Sequence, residues 1–436
     1  MTDRNTTHFH GWHYAADHVT GPVPFLNPTK RLLPLQKTQH PGGDEQVAPQ
    51  PFTAGGDEDG EAAEPQKQPS STRVPARATT ATPGGIYHIW RSRDNRKGRH
   101  TLALTPSAKA SAGFSGVHQP RPLRTTTTIG ATLRGISRMF LRYPVWDVSY
   151  DVATIFTLGS VVWVLNGFLV LLPAVDPAGS WPGESEWGGG VSACVGATVF
   201  EAGSVLLMLE AVNENRSDCF GWALEEALGG GHGGVDGDGD EGPLVLLRRE
   251  EQVTAAARRW TWWPSSKELR THYLRDIGFL ACLSQMIGAT IFWISGFTGL
   301  PQVLGVLSVP AENGIFWLPQ VVGGTGFIVS SWLFMLETQP NWHTPSPKTL
   351  GWHIGLWNLI GALGFTLCGA LGFASGSSQA YETASLWSTF IGSWAFLVGS
   401  IIQWYESLDK YPVAVVDRKA MLGLGSSSSE VLDKTI

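Results

Sequence analysis

The sequence predicts an all-α membrane protein, with six transmembrane helices arranged as three pseudo-repeated hairpins behind a disordered amino-terminal tail. Three observations lead there. Six apolar segments, each free of Lys and Arg, follow a polar first third of the chain. All 31 Lys and Arg residues lie in the tails and in alternate connections between those segments. The odd-numbered segments share one spaced motif and the even-numbered segments share another.

Residues 1–143 are broken by Pro, Gly, Ser and Thr and hold few large apolar residues. Such a segment cannot offset its ordering entropy, so a disordered cytosolic tail is expected. No apolar stretch lies near Met1, and no cleaved signal peptide is expected. His8, His10 and His13 in "HFHGWHYAADH" lack a companion ligand set, so a metal site is not expected there. Just before the first apolar segment, Arg134, Arg138 and Arg142 recur every fourth residue, as on a helix lying along anionic headgroups.

The apolar segments run over about 152–173, 191–210, 276–301, 316–337, 349–374 and 386–406. Each supplies ~20 residues or more, enough helix to cross roughly 30 Å of hydrocarbon. They pair into hairpins within 144–216, 264–342 and 343–411, with a cytosolic loop at 217–263 and a carboxy-terminal tail at 412–436. In that loop, "LVLLRREEQVTAAARRWTWWP" (244–264) reads as an interfacial amphipathic helix. Asp236, Asp238 and Asp240 have calcium-loop spacing, but Glu241 and Leu247 stand where that loop needs Gly and a bidentate Glu, so a linker is expected. Ser265 and Glu268 form a capping-box pattern that should start a helix running into the third segment. The connections after segments 1, 3 and 5 contain no Lys or Arg, which places both termini in the cytosol by the positive-inside rule. Four scattered cysteines give no disulfide framework.

The even segments read G-x3-F-x2-[GS]-S-x5-E: Gly196, Phe200, Gly203 and Glu210; Gly323, Phe327, Ser330 and Glu337; Gly392, Phe396, Gly399 and Glu406. The odd segments read G-x3-[WF]-x3-G: Gly159-Trp163-Gly167, Gly288-Phe292-Gly296 and Gly361-Phe365-Gly369. The repeating unit is therefore a two-helix hairpin. At ~100° per residue the four even-segment positions fall within roughly 80°, forming a helix-packing seam where small residues admit a neighbouring backbone. Glu210, Glu337 and Glu406 end that seam ~15 Å from the ring, at the cytosolic boundary. Two readings follow: interfacial end-stops that contact a neighbouring helix or bridge to a cytosolic Arg, or a ring of three carboxylates gathering cations at a cytosolic vestibule.

"GSWAFLVGS" (392–400) and its preceding Gly-rich segment resemble the YrhK-like two-helix membrane domain. With "IGATIFWISGF", "LGWHIGLWNLIG" and "QWYESLDKYPV", the region 144–413 is similar to uncharacterised multi-pass integral membrane proteins of fungi. Ser330, where the other even segments have Gly, departs from the pattern. The resemblance implies membership and no activity.

Glu201 is the strongest candidate for chemistry, since it falls mid-segment where Ile328 and Leu397 stand in the other repeats. Asn166, Gln285 and Asn358 could line a polar pathway with it. His353 has no second span histidine to share a haem, and no span holds a lysine for a Schiff base. No catalytic residues, cofactor or metal ligands are expected, nor a nucleic-acid partner. The expected partners are the bilayer, its anionic headgroups and a cytosolic protein that binds the tail. The expected role is structural, adaptor or sensory rather than enzymatic; the alternative is a small-solute, proton or cation transporter using Glu201.

Overall fold

The computed structural model describes residues 19–34, 86–104, 129–220 and 260–415. The His8, His10 and His13 cluster, the Asp236 linker and residues 244–259 of the interfacial stretch lie outside them. Six helices are long and apolar enough to span a membrane, so the chain is an integral multi-pass membrane protein. They are α3 (Val148–Val175), α4 (Gly190–Val212), α6 (Ile277–Thr298), α7 (Leu318–Thr338), α8 (Leu350–Gly372) and α9 (Gln379–Ser407). Before them come α1 (Ser92–Arg96) and α2 (Ile129–Leu141), and α5 (Ser266–Thr271) precedes α6.

Polar side chains start several of these helices. Asp147 accepts hydrogen bonds from the amides of Ser149 and Tyr150 and opens α3; Asp276 accepts from Phe279 N and opens α6; Ser378 accepts from Ala380 N and opens α9. Helices α4 and α7 are entered through wide, π-type turns at Glu184–Gly189 and Asn313–Trp317, at the same place in two of the repeats. The Ser265–Glu268 capping box is present. The helix it starts does not run into the third span as expected: it ends at Thr271, and a short 3-10 turn leads to the fresh cap at Asp276.

The six spans close into a ring in the order α3, α4, α6, α7, α8, α9, with α9 returning to pack on α3. Each helix sends one ring to the centre: Trp163, Phe200, Phe292, Phe327, Phe365 and Phe396. These are the aromatic positions of the two repeat motifs. Trp163 meets Phe365 edge-on at 4.8 Å between centroids, and Phe200 meets Phe396 at 5.6 Å in the same way. The motif glycines set the helix spacing: a Cβ on Gly323 would stand 2.7 Å from the carbonyl oxygen of Gly288 on α6. Lipid offers no hydrophobic drive for helix association, so such backbone contact and ring packing supply the attraction.

Part of the stretch expected to be disordered is instead folded. Strands β1 (Val19–Thr20), β2 (Lys30–Pro34), β3 (Ile86–Arg91) and β4 (Thr101–Leu104) pair antiparallel in that order, and β5 (Val413–Val415) joins β4 in parallel. This sheet ties the chain after α9 back to the amino-terminal region. Segments "IYHIWR" and "TLAL" have strand propensity that the surrounding polar composition concealed. Helix α1 lies at the tip of the β3–β4 hairpin, where Ile89 pairs with Thr101.

Candidate functional site

The tip of the β3–β4 hairpin enters the mouth of the ring at the end where α4, α7 and α9, the even-numbered spans, finish. Its sequence, "RSRDNRKGR" (91–99), is strongly basic. Gly98 adopts φ +60° and stops the one-turn helix, a left-handed conformation in which a side chain would be strained. Backbone bonds then fasten the tip: Asn215 N donates to Asn95 O at 2.7 Å, and His100 N donates to Lys410 O at 2.8 Å. Lys410 Nζ also donates to Lys97 O at 2.8 Å.

Below the tip stand the three repeat glutamates. Arg96 pairs with Glu337 at two points, Nη1 to Oε1 at 2.7 Å and Nη2 to Oε2 at 2.9 Å. Arg93 donates to Glu406 at 2.7 Å, and Arg99 reaches the same carboxylate at 3.1 Å while also holding Asp94 at 2.8 Å. Lys97 Nζ lies 3.6 Å from Glu406 with no hydrogen bond among the described residues. Glu210 is 0% exposed and neither of its oxygens has a described partner. Glu337 and Glu406 thus meet Arg side chains, one of the contacts expected of them, but the Arg residues come from a folded segment of the same chain and all three glutamates are buried.

The electrostatics follow from this burial. Burial, the largest single influence, opposes the charge on Arg96, but the charge and hydrogen bonds of Glu337 together with Cys282 and Glu210 outweigh it and hold the guanidinium well above its ordinary pKa. Arg99 is likewise held up, against its burial, by Asp94 and Glu406. Lys97 goes the other way: burial pushes it below the usual lysine range, Glu210 opposes that, and Arg93 adds to it. The guanidiniums, paired bidentately or shared, stay charged, whereas the compact ammonium is the most poorly compensated cation of the set.

Glycines on α6 and α8, the third and fifth spans, make room for the guanidiniums. A Cβ on Gly278 would collide with Arg96 and Glu337, and one on Gly351 would lie 2.6 Å from Arg93 Nε. Both stand in the first turn of their helix, and in hairpin 1 the equivalent residue is Ser149, whose buried hydroxyl lacks a described partner.

Between the basic tip and the aromatic centre lies a cavity of 40 Å³, lined by Arg93, Arg96, Lys97, Gln285, Asn358 and Gln403 together with apolar side chains that include Phe156 and Phe200. The structure therefore brings Gln285 and Asn358 together. It places the other two sequence candidates elsewhere. Glu201 Oε1 accepts from Thr290 Oγ1 at 3.0 Å, between α4 and α6, and its Oε2 is buried without a described partner. Asn166 donates to Gly189 O at 2.7 Å and to Ser192 Oγ at 3.0 Å, at the start of α4 and away from the glutamates. His353 bonds the carbonyl of Pro347 at 2.7 Å. The seam residues Gly196, Phe200, Gly203, Gly323, Phe327, Ser330, Gly392, Phe396 and Gly399 are all buried.

Arg93, Arg96, Lys97 and Gln403 were absent from the residues the sequence singled out. A signal for the first three was present: a cluster of five Arg or Lys within 91–97 and 99, between two short alternating apolar runs, facing three copies of an acid. No family model, curated protein or solved structure matches the chain.

Proposed function

We propose that the protein is a non-enzymatic membrane scaffold of structural, adaptor or sensory kind, whose amino-terminal region is latched into the cytosolic mouth of its helix ring. The observation that carries this reading is the joint pairing of Arg93 with Glu406 and Arg96 with Glu337, from one helical turn to two different hairpins. A segment so held reports on the relative position of the hairpins, because moving either one breaks a buried ion pair. The filled aromatic centre supports a scaffold over a conduit. The exclusion of Lys and Arg from the opposite connections supports a cytosolic mouth. Arg134, Arg138 and Arg142 on and after α2, beside exposed Leu133, Ile136 and Phe140, suit anionic headgroups at that face. The resemblance to YrhK-like hairpins rests on the same short repeat pattern.

Transport through Glu201 is the second reading, favoured by the unpartnered Oε2. Against it, Glu201 is not among the residues that line the cavity holding Gln285 and Asn358.

Two measurements on the full chain test the proposal. Hydrogen exchange in lipid nanodiscs should show the amides of 92–99 protected as strongly as the span ends; exchange at free-chain rates would refute the latch. Reconstituted liposomes carrying a pH-sensitive dye should show no solute- or ion-driven flux. Flux abolished by Glu201→Gln would establish the transport reading in its place.

A further inference from the structure

We propose that the cavity between the basic tip and the aromatic centre binds a small monovalent anion of halide or formate size. The lining is chemically one-sided: it contains Arg93, Arg96 and Lys97 and no carboxylate, since Glu337 and Glu406 sit behind the guanidiniums they pair with. Two cationic donors there are unused. Lys97 Nζ and Arg96 Nε are buried, with side chains 2% and 4% exposed, and neither makes a hydrogen bond to a described residue.

Three amides converge on the same space from three helices. Gln285 on α6, Asn358 on α8 and Gln403 on α9 line the cavity and have no hydrogen bond to another described residue. Gln403 is buried and Gln285 and Asn358 are half-buried, so their amide groups open onto the cavity, where a ligand or ordered water can meet them. These amides are departures from the repeat. Gln285 and Asn358 stand three residues before Gly288 and Gly361, where hairpin 1 has Phe156 before Gly159. Gln403 stands three residues before Glu406, where the other even helices have Leu207 and Phe334. A repeat retains its scaffold positions, and here the amides enter from α6, α8 and α9, whereas hairpin 1 supplies Phe156 and Leu207 at the equivalent positions of the lining.

Sign and size narrow the ligand. An ammonium that makes no hydrogen bond to a described residue and lies 3.6 Å from its nearest carboxylate attracts an anion and repels a cation at low dielectric. Amide N–H groups complete the shell. A volume of 40 Å³ admits a halide or formate, about the room taken by one to three waters, and excludes a sugar acid. The inference is independent of whether the ring is a scaffold or carries flux.

The test uses the full chain in nanodiscs, with thermal unfolding followed as gluconate is replaced by chloride, bromide or formate at constant ionic strength. The expected result is a saturable rise in Tm of several degrees. Gln403→Leu, which leaves every ion pair intact, and Lys97→Gln should each raise the half-saturating concentration at least tenfold; if Lys97→Gln does not fold, Gln403→Leu decides alone. Identical Tm in gluconate and in all three small anions would overturn the site. So would a rise that sulfate reproduces, or one unchanged in Gln403→Leu.

Discussion

Arg96 and Glu337 are 241 residues apart in the chain and meet in a two-point ion pair with side chains 4% and 0% exposed. A buried pair of this kind is weak evidence for net stability, because desolvation offsets much of the attraction, but removal of one partner leaves a buried charge alone. The pair therefore acts as a latch: neutral when whole, costly when broken.

Single substitutions should reveal that asymmetry. Arg96→Ala and Glu337→Ala should each lower stability by about 3–5 kcal/mol, whereas Arg96→Met combined with Glu337→Leu should lose far less than the two single losses together. Denaturant or thermal unfolding in nanodiscs gives the cycle. Additive losses would mean that the two side chains do not depend on each other.

The first-turn glycines should be as sensitive as the charges. Gly278→Val places carbon where the Arg96–Glu337 pair lies, so the β3–β4 tip should be expelled and become open to protease cleavage between Arg91 and Arg99. Gly376→Ala is the control, because a Cβ there meets nothing within 4 Å. Equal cleavage of the two variants would detach Gly278 from the latch.

Asp276 gives the mouth a pH dependence. Burial first, then the nearby Glu214 and Glu337 carboxylates, push its carboxyl from 3.8 up to about 7, against the opposing pull of Arg96. The folded state therefore keeps a proton that the unfolded chain releases, and stability should fall as pH rises from about 4 through about 7. Asp276→Asn retains a side-chain oxygen to cap Phe279 N and removes the titration. Its Tm should match wild type near pH 4 and exceed it near pH 8. A constant difference across that range would contradict the assignment.

Orientation is open to a direct chemical test. In a cysteine-free background, Ser378→Cys, an exposed position at the start of α9, should react with an impermeant thiol reagent added from the non-cytosolic side. Labelling from the cytosolic side alone would invert the proposed topology.

The span motifs were legible because each depends on neighbours three, four and seven residues away, and the helical period converts such spacing directly into a shared face. Phe200, Phe327 and Phe396, with Trp163, Phe292 and Phe365, could thus be picked out as equivalent before their common centre was known. The opposite held for the basic tip. Composition averaged over 1–143 concealed two strands of six and four residues, because their pairing partners include β5, beyond the last span.

By itself, then, the sequence determined six spans, their pairing into repeated hairpins and the recurrence of one acid at the end of each even helix. Only the tertiary structure decided that Glu337 and Glu406 face Arg96 and Arg93 rather than water, that Gln285 and Asn358 share a cavity with Gln403, and that Glu201 and Asn166 stand apart from it. The physical reason is range. Hydrophobic period and charge exclusion are written within one helix, but a carboxylate's partner is selected by ring closure, which brings residues up to 313 positions apart within hydrogen-bond reach.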